Sequence, residues 1–326
     1  MPTRRDRIEG GVLGALTGDA LGVPYEFKAP SEIPPTAAVD MAPPAGFDRS
    51  HGDVPVGTWS DDGSLTLALL ETLLHHQGRF DADDFGGRLV AWRREGRLAV
   101  DGRVFDVGIQ TDEAIKRIAS GTPAAGAGPS GELSNGNGAL MRTLPVALAA
   151  KGDDRALVEC AHRQSRVTHG HIRSEVCCAL YALWTRRLLD DRGGDPWKDA
   201  LAALRAVYSN DAERRRELDE EVRPEIEGPG GGTAYVVDSL RSVRWCFLQG
   251  SYEAAVTAAI RLGNDTDTTA GIVGGAVGVK DGVDAIPRRW RDALRGAEIY
   301  RPVLDALLAY DSNAASGGAA SVVSLF

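Results

Sequence analysis

The sequence predicts an all-α fold in one compact domain, and three observations lead to this prediction. Apolar residues recur at helical spacing in most segments, most clearly in the leucine-rich stretch 61–76. No segment combines sustained strand alternation with turn signals at hairpin spacing. The chain of 326 residues contains no internal repeat and no change of composition that would divide it. We therefore expect a helical domain over residues 1–310, followed by a poorly ordered tail at 311–326.

The predicted helices follow one another with few long connections. In the first, residues 8–22, glycines at every fourth position share one face, so a second backbone can approach closely; a flexible loop is the alternative interpretation. The segment 23–57 contains seven prolines and little periodicity, and a loop of that length in a compact domain usually has a function. Gly/Pro-rich loops are predicted at 121–138 and 228–232. Besides the leucine-rich helix, we expect helices at 82–95, 109–119, 139–150, 153–163, 171–190, 196–208, 233–248, 251–261, 268–278 and 298–310.

Composition and charge argue against several classes of protein. The formal net charge of −9 opposes the phosphate neutralisation that nucleic-acid binding requires, so no stable nucleic-acid complex is expected. The four cysteines include no C-x-x-C pair, which is typical of buried free thiols in a reducing compartment. No apolar stretch is long enough to span a bilayer. We therefore expect a cytoplasmic protein without membrane contact, and a monomer, because no long exposed apolar repeat occurs.

Two acidic clusters begin predicted helices that lie far apart in the sequence. The first is residues 59–62 (WSDD), and the second is residues 263–269 (GNDTDTT). Acidic residues commonly cap helices, and capping remains an alternative interpretation of each cluster alone. Together, two carboxylates and a hydroxyl in each cluster favour a hard cation such as Mg²⁺, Mn²⁺ or Ca²⁺ over zinc. An EF-hand is excluded, because Ala270 and Ala276 occupy the positions that require glycine and glutamate.

A third motif is the glycine-rich stretch 134–142 (SNGNGALMR), which leads into a predicted helix. Such a turn presents backbone amides at a helix N-terminus and is suited to a phosphate group. It is not a Rossmann fingerprint, since Met141 stands at the third glycine and no strand precedes it, nor is it a P-loop. An ordinary loop-to-helix junction is equally compatible with the pattern. His169 and His171 likewise have two interpretations, a phosphate or pocket contact and an ordinary histidine at a helix start.

In combination, these motifs resemble those of the ADP-ribosylglycohydrolase family. The resemblance covers nearly the whole chain, from residue 14 to the region of Trp290. Its motifs occur in the family's order: GALTGDALGVPYEF, WSDDGS, FDVGIQT, SNGNGALMR, THGHIRSE and LGNDTDTTAGIVGG. The most specific feature is the combination of the SDD and GNDTDT elements.

The resemblance implies an all-α fold with a two-metal centre, of Mg²⁺ or Mn²⁺, in a cleft. The implied metal ligands are Ser60, Asp61, Asp62, Asp265, Asp267 and Thr268. Relatives usually have threonine at the position of Ser60, and serine retains the hydroxyl oxygen. Gly63 stands where relatives often have a second threonine, which removes no expected ligand.

The resemblance also implies the reaction, cleavage of the C1″ glycosidic bond of an ADP-ribosyl group. Two metals can bind the ribose hydroxyls and position a water molecule. The implied catalytic residues are Glu26, Asp106 and Asp62, with Glu26 or Asp106 as the acid/base carboxylate and Glu26 preferred for an oxygen-linked acceptor. The implied substrate-binding residues, with the pyrophosphate on the amides of residues 136–139, are Asn135, Gly136, Asn137, Gly138, Ala139, Met141 and His169.

Two other functions remain compatible with the sequence. One is a non-catalytic relative that binds ADP-ribose and metal, comparable to the lens crystallins that share this fold; the complete set of oxygen ligands argues against it. The other is a two-metal phosphohydrolase, which would release phosphate in place of ADP-ribose. The acceptor stays open among arginine, serine, poly(ADP-ribose), nucleic acid and small molecules, and so does the choice between Mg²⁺ and Mn²⁺.

Overall fold

Fourteen α-helices account for most of residues 1–315, the part of the chain that the computed structural model describes, and no β-strand occurs in this range. The predicted all-α fold class is therefore confirmed. In chain order the helices are α1 (Arg4–Gly22), α2 (Asp61–His75), α3 (Ala82–Glu95), α4 (Ile109–Ala119), α5 (Leu144–Ala149), α6 (Asp154–Arg166), α7 (Ile172–Asp190), α8 (Pro196–Val207), α9 (Ala212–Arg216), α10 (Val236–Phe247), α11 (Tyr252–Arg261), α12 (Thr266–Asp281), α13 (Arg288–Ala293) and α14 (Ala297–Ala315).

Several helix boundaries differ from those that the sequence predicts, and α9 and α13 lie outside the predicted helices. The predicted helix 139–150 begins only at Leu144, because the preceding residues form a turn in which the N–H groups of Leu140 and Met141 both donate to the carbonyl of Asn137. Helix α14 continues to Ala315, past the expected domain end at residue 310. The remainder of the expected tail, 316–326, lies outside the described residues.

Helices α1 and α12 pack against each other in antiparallel orientation along the glycine face predicted for α1. A Cβ atom on Gly14 would lie 2.4 Å from the carbonyl oxygen of Gly274, and one on Gly18 would lie 2.2 Å from that of Ala270. These distances are far below van der Waals contact, so only glycine permits the approach. At the end of the pair, a Cβ on Gly22 would lie 2.4 Å from the Cα of Asp267. The last turn of α1 is thereby placed against the first turn of α12.

Helix α7 crosses the interior and is buried along most of its length. It packs against α5, α6, α8 and α10, which surround it with apolar side chains. The four cysteines are buried and free, as predicted. None of the helices within residues 1–315 combines the length and the apolar composition that crossing a bilayer requires. Helix α7 also packs against α1 and α12, and the hydroxyl of Tyr181 donates to the carbonyl of Ile272 at 2.9 Å.

Candidate active site

The site lies where the C-terminal end of α1 meets the N-terminal ends of α2 and α12. Asp19, on α1, is buried, and its carboxylate accepts hydrogen bonds from the backbone N–H groups of Ser60 (2.9 Å) and Gly63 (2.8 Å). Backbone N–H groups at a helix N-terminus have no acceptor within the helix, and Asp19 supplies one for these two. The bonds hold the start of α2 against α1, while the approach of Gly22 to Asp267 holds α12 there. The two acidic clusters are therefore brought together.

The carboxylates of these clusters are joined by hydroxyl and amide groups. Thr268 Oγ1 donates to Asp62 Oδ2 at 3.2 Å, and Ser60 Oγ lies 3.4 Å from the same oxygen. Asn137 Nδ2 donates to Asp265 Oδ2 at 2.7 Å, which links the glycine-rich turn to the second cluster. Ser60, Asp62 and Thr268 are thus in contact, and carboxylate oxygens of Asp265, Asp267 and Glu26 lie within 4.8 Å of one another.

Three carboxylate oxygens in this cluster are buried without a hydrogen-bond partner among the described residues. They are Oδ1 of Asp62 and both carboxylate oxygens of Asp267. An unpartnered buried charge is costly unless an opposite charge compensates it. Burial, together with the neighbouring carboxylates, raises the pKa of both groups well above the usual range. Because all the donors are oxygen atoms, the cluster fits Mg²⁺, Mn²⁺ or Ca²⁺ and does not fit a soft metal.

Glu26 and Asp106 come from two loops that meet above this cluster. Burial, and then the charge of Asp106, raises the pKa of Glu26 to about 11. Burial likewise raises the pKa of Asp106. The loop of Glu26 is fastened to the start of α12, because the N–H of Phe27 donates to the carbonyl of Asn264 (2.6 Å) and the N–H of Asn264 to that of Lys28 (2.7 Å). The long irregular segment 23–57 therefore places the carboxyl group of Glu26 at the site.

A cleft of about 810 Å³ opens onto these residues. This volume is within the usual range of small-molecule sites. Its lining includes four of the acidic residues, the glycine-rich turn and His169. The residues predicted for the site that line it are Glu26, Asp61, Asp106, Gly136, Asn137, Gly138, Met141, His169, Asp265 and Thr268. The remaining predicted metal ligands belong to the buried cluster described above.

The glycine-rich turn offers fewer backbone amides than the sequence predicts. The N–H of Gly136 donates to Gln110 Oε1 at 2.9 Å, and the N–H of Asn137 donates to the carbonyl of Ala234 at 3.0 Å. These two groups are therefore engaged within the chain. The predicted cradle of four amides is reduced to those of Gly138 and Ala139.

The two histidines of the THGH motif have different roles. His169 is buried against the turn, and a Cβ on Gly138 would lie 2.8 Å from its ring, which explains the glycine there. Burial, and then Arg142, lowers the pKa of His169 to about 3, so the ring is neutral at neutral pH. His171 begins α7, and its Nδ1 accepts the N–H of Arg173 at 3.1 Å. The interpretation as an ordinary helix-start residue therefore applies to His171.

Comparison with known proteins agrees with this arrangement. A family model described as ADP-ribosylglycohydrolase matches residues 1–317. The chain belongs to the ADP-ribosylglycohydrolase family. This membership confirms the resemblance and the predicted enzyme class.

Several relatives of this ADP-ribosylglycohydrolase are similar over most of its length. The ADP-ribosyl-[dinitrogen reductase] glycohydrolase of Rhodospirillum rubrum is 30% identical over 313 residues, which cover 94% of this chain and 97% of that protein. The ADP-ribosylarginine hydrolase Tri1 of Pseudomonas putida is 29% identical over 294 residues, covering 87% of this chain and 73% of that protein. A solved structure described as an ADP-ribosylglycohydrolase-related protein complex superposes with a TM-score of 0.71 at 32% identity, covering 94% of this chain and 98% of that chain.

Two residues predicted to bind substrate in this ADP-ribosylglycohydrolase shape the glycine-rich turn and do not line its cleft. Asn135 Nδ2 donates to the carbonyl of Glu132 at 2.7 Å, and its carbonyl accepts the N–H of Val236 at 2.9 Å. Ala139 is fully buried, and its carbonyl accepts the hydroxyl of Thr143 at 2.8 Å. Glu132 precedes the turn, and Thr143 and Val236 follow it. The motif itself contains none of these contacts, so the sequence pattern alone does not separate Asn135 and Ala139 from their neighbours.

Asp19 and His51 belong to the site of this ADP-ribosylglycohydrolase but are not predicted from the sequence. Asp19 has a signal that could have revealed it, since it is the one carboxylate in the apolar and glycine-rich part of α1, residues 10–22. His51 lies in an irregular loop, and its Nε2 is 2.7 Å from Oε2 of Glu26. No periodicity or motif surrounds it, so only the folded chain reveals the contact.

Proposed function

We propose that this ADP-ribosylglycohydrolase hydrolyses the bond between C1″ of an ADP-ribosyl group and a nitrogen or oxygen atom of a modified acceptor. The observation that carries the proposal is the set of three buried carboxylate oxygens of Asp62 and Asp267 that have no hydrogen-bond partner within residues 1–315. They belong to the oxygen cluster next to a cleft of about 810 Å³. Family membership supports ADP-ribose as the group released.

Two divalent cations, Mg²⁺ or Mn²⁺, are the proposed cofactors. The residues that would hold them are Ser60, Asp61, Asp62, Asp265, Asp267 and Thr268. When bound, such cations supply the positive charge that orients ribose hydroxyls and activates water. The support is the donor set, which consists of carboxylate and hydroxyl oxygens and includes no sulfur or imidazole nitrogen.

Glu26 is the proposed acid/base carboxylate. Hydrolysis adds the hydroxyl group of a water molecule to C1″ and a proton to the leaving nitrogen or oxygen atom of the acceptor. Burial and the charge of Asp106 raise the pKa of Glu26, which is the direction that suits a proton donor. Carboxylate oxygens of Asp106 and Glu26 lie within 4.8 Å of each other, and Asp106 remains the second candidate for the same role.

The pyrophosphate of the substrate is proposed to bind the glycine-rich turn at Gly138, which lines the cleft. The hydroxyl of Thr168 lies 2.8 Å from Nδ1 of His169. When this hydroxyl donates, the proton of the neutral ring is on Nε2, which faces the turn and can donate to a phosphate oxygen. The anionic substrate then meets N–H donors and a neutral ring, and no carboxylate of the cluster has to approach it there.

We further propose that the enzyme acts as a cytoplasmic monomer and forms no stable complex with nucleic acid. Four free, buried cysteines support a reducing compartment. The net charge of −9 supports the absence of a nucleic-acid partner. Light scattering coupled to gel filtration measures the mass in solution, and a mass twice that of the chain would contradict the monomer.

A product assay with a panel of acceptors tests the proposed function. ADP-ribosyl-arginine peptide heads the panel, because one relative is named for that linkage. ADP-ribosyl-serine peptide, poly(ADP-ribose) and ADP-ribosylated DNA complete it. Released ADP-ribose is quantified by mass spectrometry with Mg²⁺, with Mn²⁺ and with EDTA.

The expected result is EDTA-sensitive release of ADP-ribose from at least one member of the panel. Release of inorganic phosphate in place of ADP-ribose would support a phosphohydrolase. Binding of ADP-ribose without release from any member would support a non-catalytic relative. The variant Asp267→Asn, which keeps the size of the side chain and removes its charge, should lose the metal-dependent activity.

A further inference from the structure

The loop that carries Glu26 is held in place by the residue pair Ser50 and His51. Nε2 of His51 lies 2.7 Å from Oε2 of Glu26, and the Ser50 hydroxyl donates to the backbone carbonyl of Glu26. The N–H of Ser50 also donates to the carbonyl of Pro24 at 3.0 Å. Both the main chain and the carboxyl group of Glu26 are thus contacted by residues from one turn of the same long loop.

The ring of His51 is itself fixed between two aromatic rings. Its centroid lies 5.7 Å from that of Phe27 and 5.1 Å from that of Phe105. Phe105 directly precedes Asp106, and side-chain atoms of Glu26, His51 and Asp106 all lie within 4.8 Å of one another. His51 therefore connects the two loops that carry the candidate acid/base residues.

The backbone at this junction is held in a sparsely populated conformation. Phe27 has a φ of 59°, His51 of 49° and Asp106 of 53°, all in the left-handed region that residues other than glycine rarely adopt. Such conformations cost free energy and persist where the surrounding contacts fix them, typically at functional sites. Three of them around one carboxyl group indicate that its position is specified by the fold.

We propose that His51 is a positioning residue, whose hydrogen bond with Oε2 fixes the direction of the Glu26 carboxyl group in the cleft. A glutamate side chain has several rotatable bonds, and a misplacement of about 1 Å at a reacting group can reduce the rate about 100-fold. His51 itself does not line the cleft, so it acts through Glu26 and has no contact with the substrate. This inference rests on the proposed function, in which Glu26 transfers the proton.

The test compares His51→Ala with His51→Gln. Both replacements have a Cβ at the same left-handed position, so the backbone cost is matched, and both remove the ring from between the two phenylalanines. Only glutamine keeps a nitrogen at the position of Nε2, and its amide group can either donate to or accept from the carboxyl group. The two variants therefore differ in whether a hydrogen-bonding group can reach Glu26, and in side-chain volume.

The kcat and KM of each variant are measured on whichever panel substrate the unsubstituted enzyme hydrolyses. His51→Ala is expected to lower kcat about 10- to 100-fold, as losses of outer hydrogen-bond partners do. KM should change by less than about threefold, because the substrate-binding contacts are kept. His51→Gln should recover most of the lost kcat. The rise in melting temperature on adding Mg²⁺ should be the same in all three proteins.

Three outcomes would overturn the positioning role. Equal loss of kcat in both variants would mean that ring packing matters and the hydrogen bond does not. A rise in KM at constant kcat would make His51 a substrate contact, and loss of the Mg²⁺ effect on melting temperature would make it a metal ligand. Absence of activity in the unsubstituted enzyme on every substrate would instead contradict the proposed function, so the two failures are distinguishable.

Discussion

At the scale of single residues, Asp19 has an effect beyond its own contacts. Its carboxylate accepts two backbone N–H groups at the start of α2, those of Ser60 and Gly63. Asp61 and Asp62 follow directly in that first turn, so their direction depends on the same two hydrogen bonds. A residue that binds neither metal nor substrate in our proposal thereby orients two of the proposed ligands.

We expect Asp19→Ala to reduce both activity and stability. The substitution leaves two buried N–H groups without an acceptor, at a cost of about 1–3 kcal/mol for each. Asp19→Asn keeps one acceptor oxygen and should be less damaging in both respects. Thermal unfolding and Mg²⁺-dependent release of ADP-ribose measure the effects, and equal activity in Asp19→Ala and the unsubstituted enzyme would contradict this role.

Asp267→Asn should stabilise the metal-free protein and weaken the stabilisation that Mg²⁺ provides. Burial raises the pKa of Asp267 well above the usual range, which opposes folding at neutral pH, so replacing this ionisable group by an amide should raise the melting temperature of the metal-free protein. The increase in melting temperature on adding Mg²⁺ should be reduced, because a cation that binds only the folded state stabilises it. Asp305→Asn, at an exposed position of α14, is the matched control and should change neither quantity.

At the scale of helices, the sequence predicts the existence of most elements but not their partners. The glycine spacing of α1 predicts a close approach, since it depends on residues four apart on one helix. The identity of α12 as the partner depends on contacts such as Gly14 with Gly274, which no local pattern contains. No local pattern contains the partners of the Gly136 and Asn137 amides either, because Gln110 and Ala234 reach the turn from distant segments.

A glycine substitution in α1 tests whether this helix pair positions the site. We expect Gly18→Ala to destabilise the protein by about 3 kcal/mol or more, because its Cβ would lie 2.2 Å from the carbonyl oxygen of Ala270. The displaced α12 should also reduce activity. Gly87→Ala is the control: it lies in α3 with no atom within 4 Å of the added Cβ, and should stabilise by about 0.5–1 kcal/mol. Urea unfolding of both variants measures the difference, and similar midpoints would contradict the packing argument.

At the scale of the whole molecule, the carboxylates of the candidate active site differ from the other acidic side chains in their partners. Many acidic side chains elsewhere are paired with arginine, as Glu175 is with Arg166 (2.7 Å) and Arg214 (2.7 Å). The carboxylates at the site contact mainly hydroxyl, amide and backbone groups. The folded chain without a cation therefore carries a local electrostatic cost, which the rest of the fold has to offset.

This cost predicts how stability depends on pH. Burial raises the pKa of Asp19 from 3.8 to about 7, so the folded protein binds this proton more tightly than the unfolded chain does. The resulting stabilisation is complete below pH 3.8 and is lost as the pH rises through about 7. In EDTA, the melting temperature should therefore be lowered relative to the Mg²⁺-bound protein by an amount that grows between about pH 4 and pH 7. Scanning calorimetry of both forms measures that gap. A gap that is constant across this range, or that narrows as the pH rises, would show that cation binding is not coupled to ionisation of the buried carboxylates.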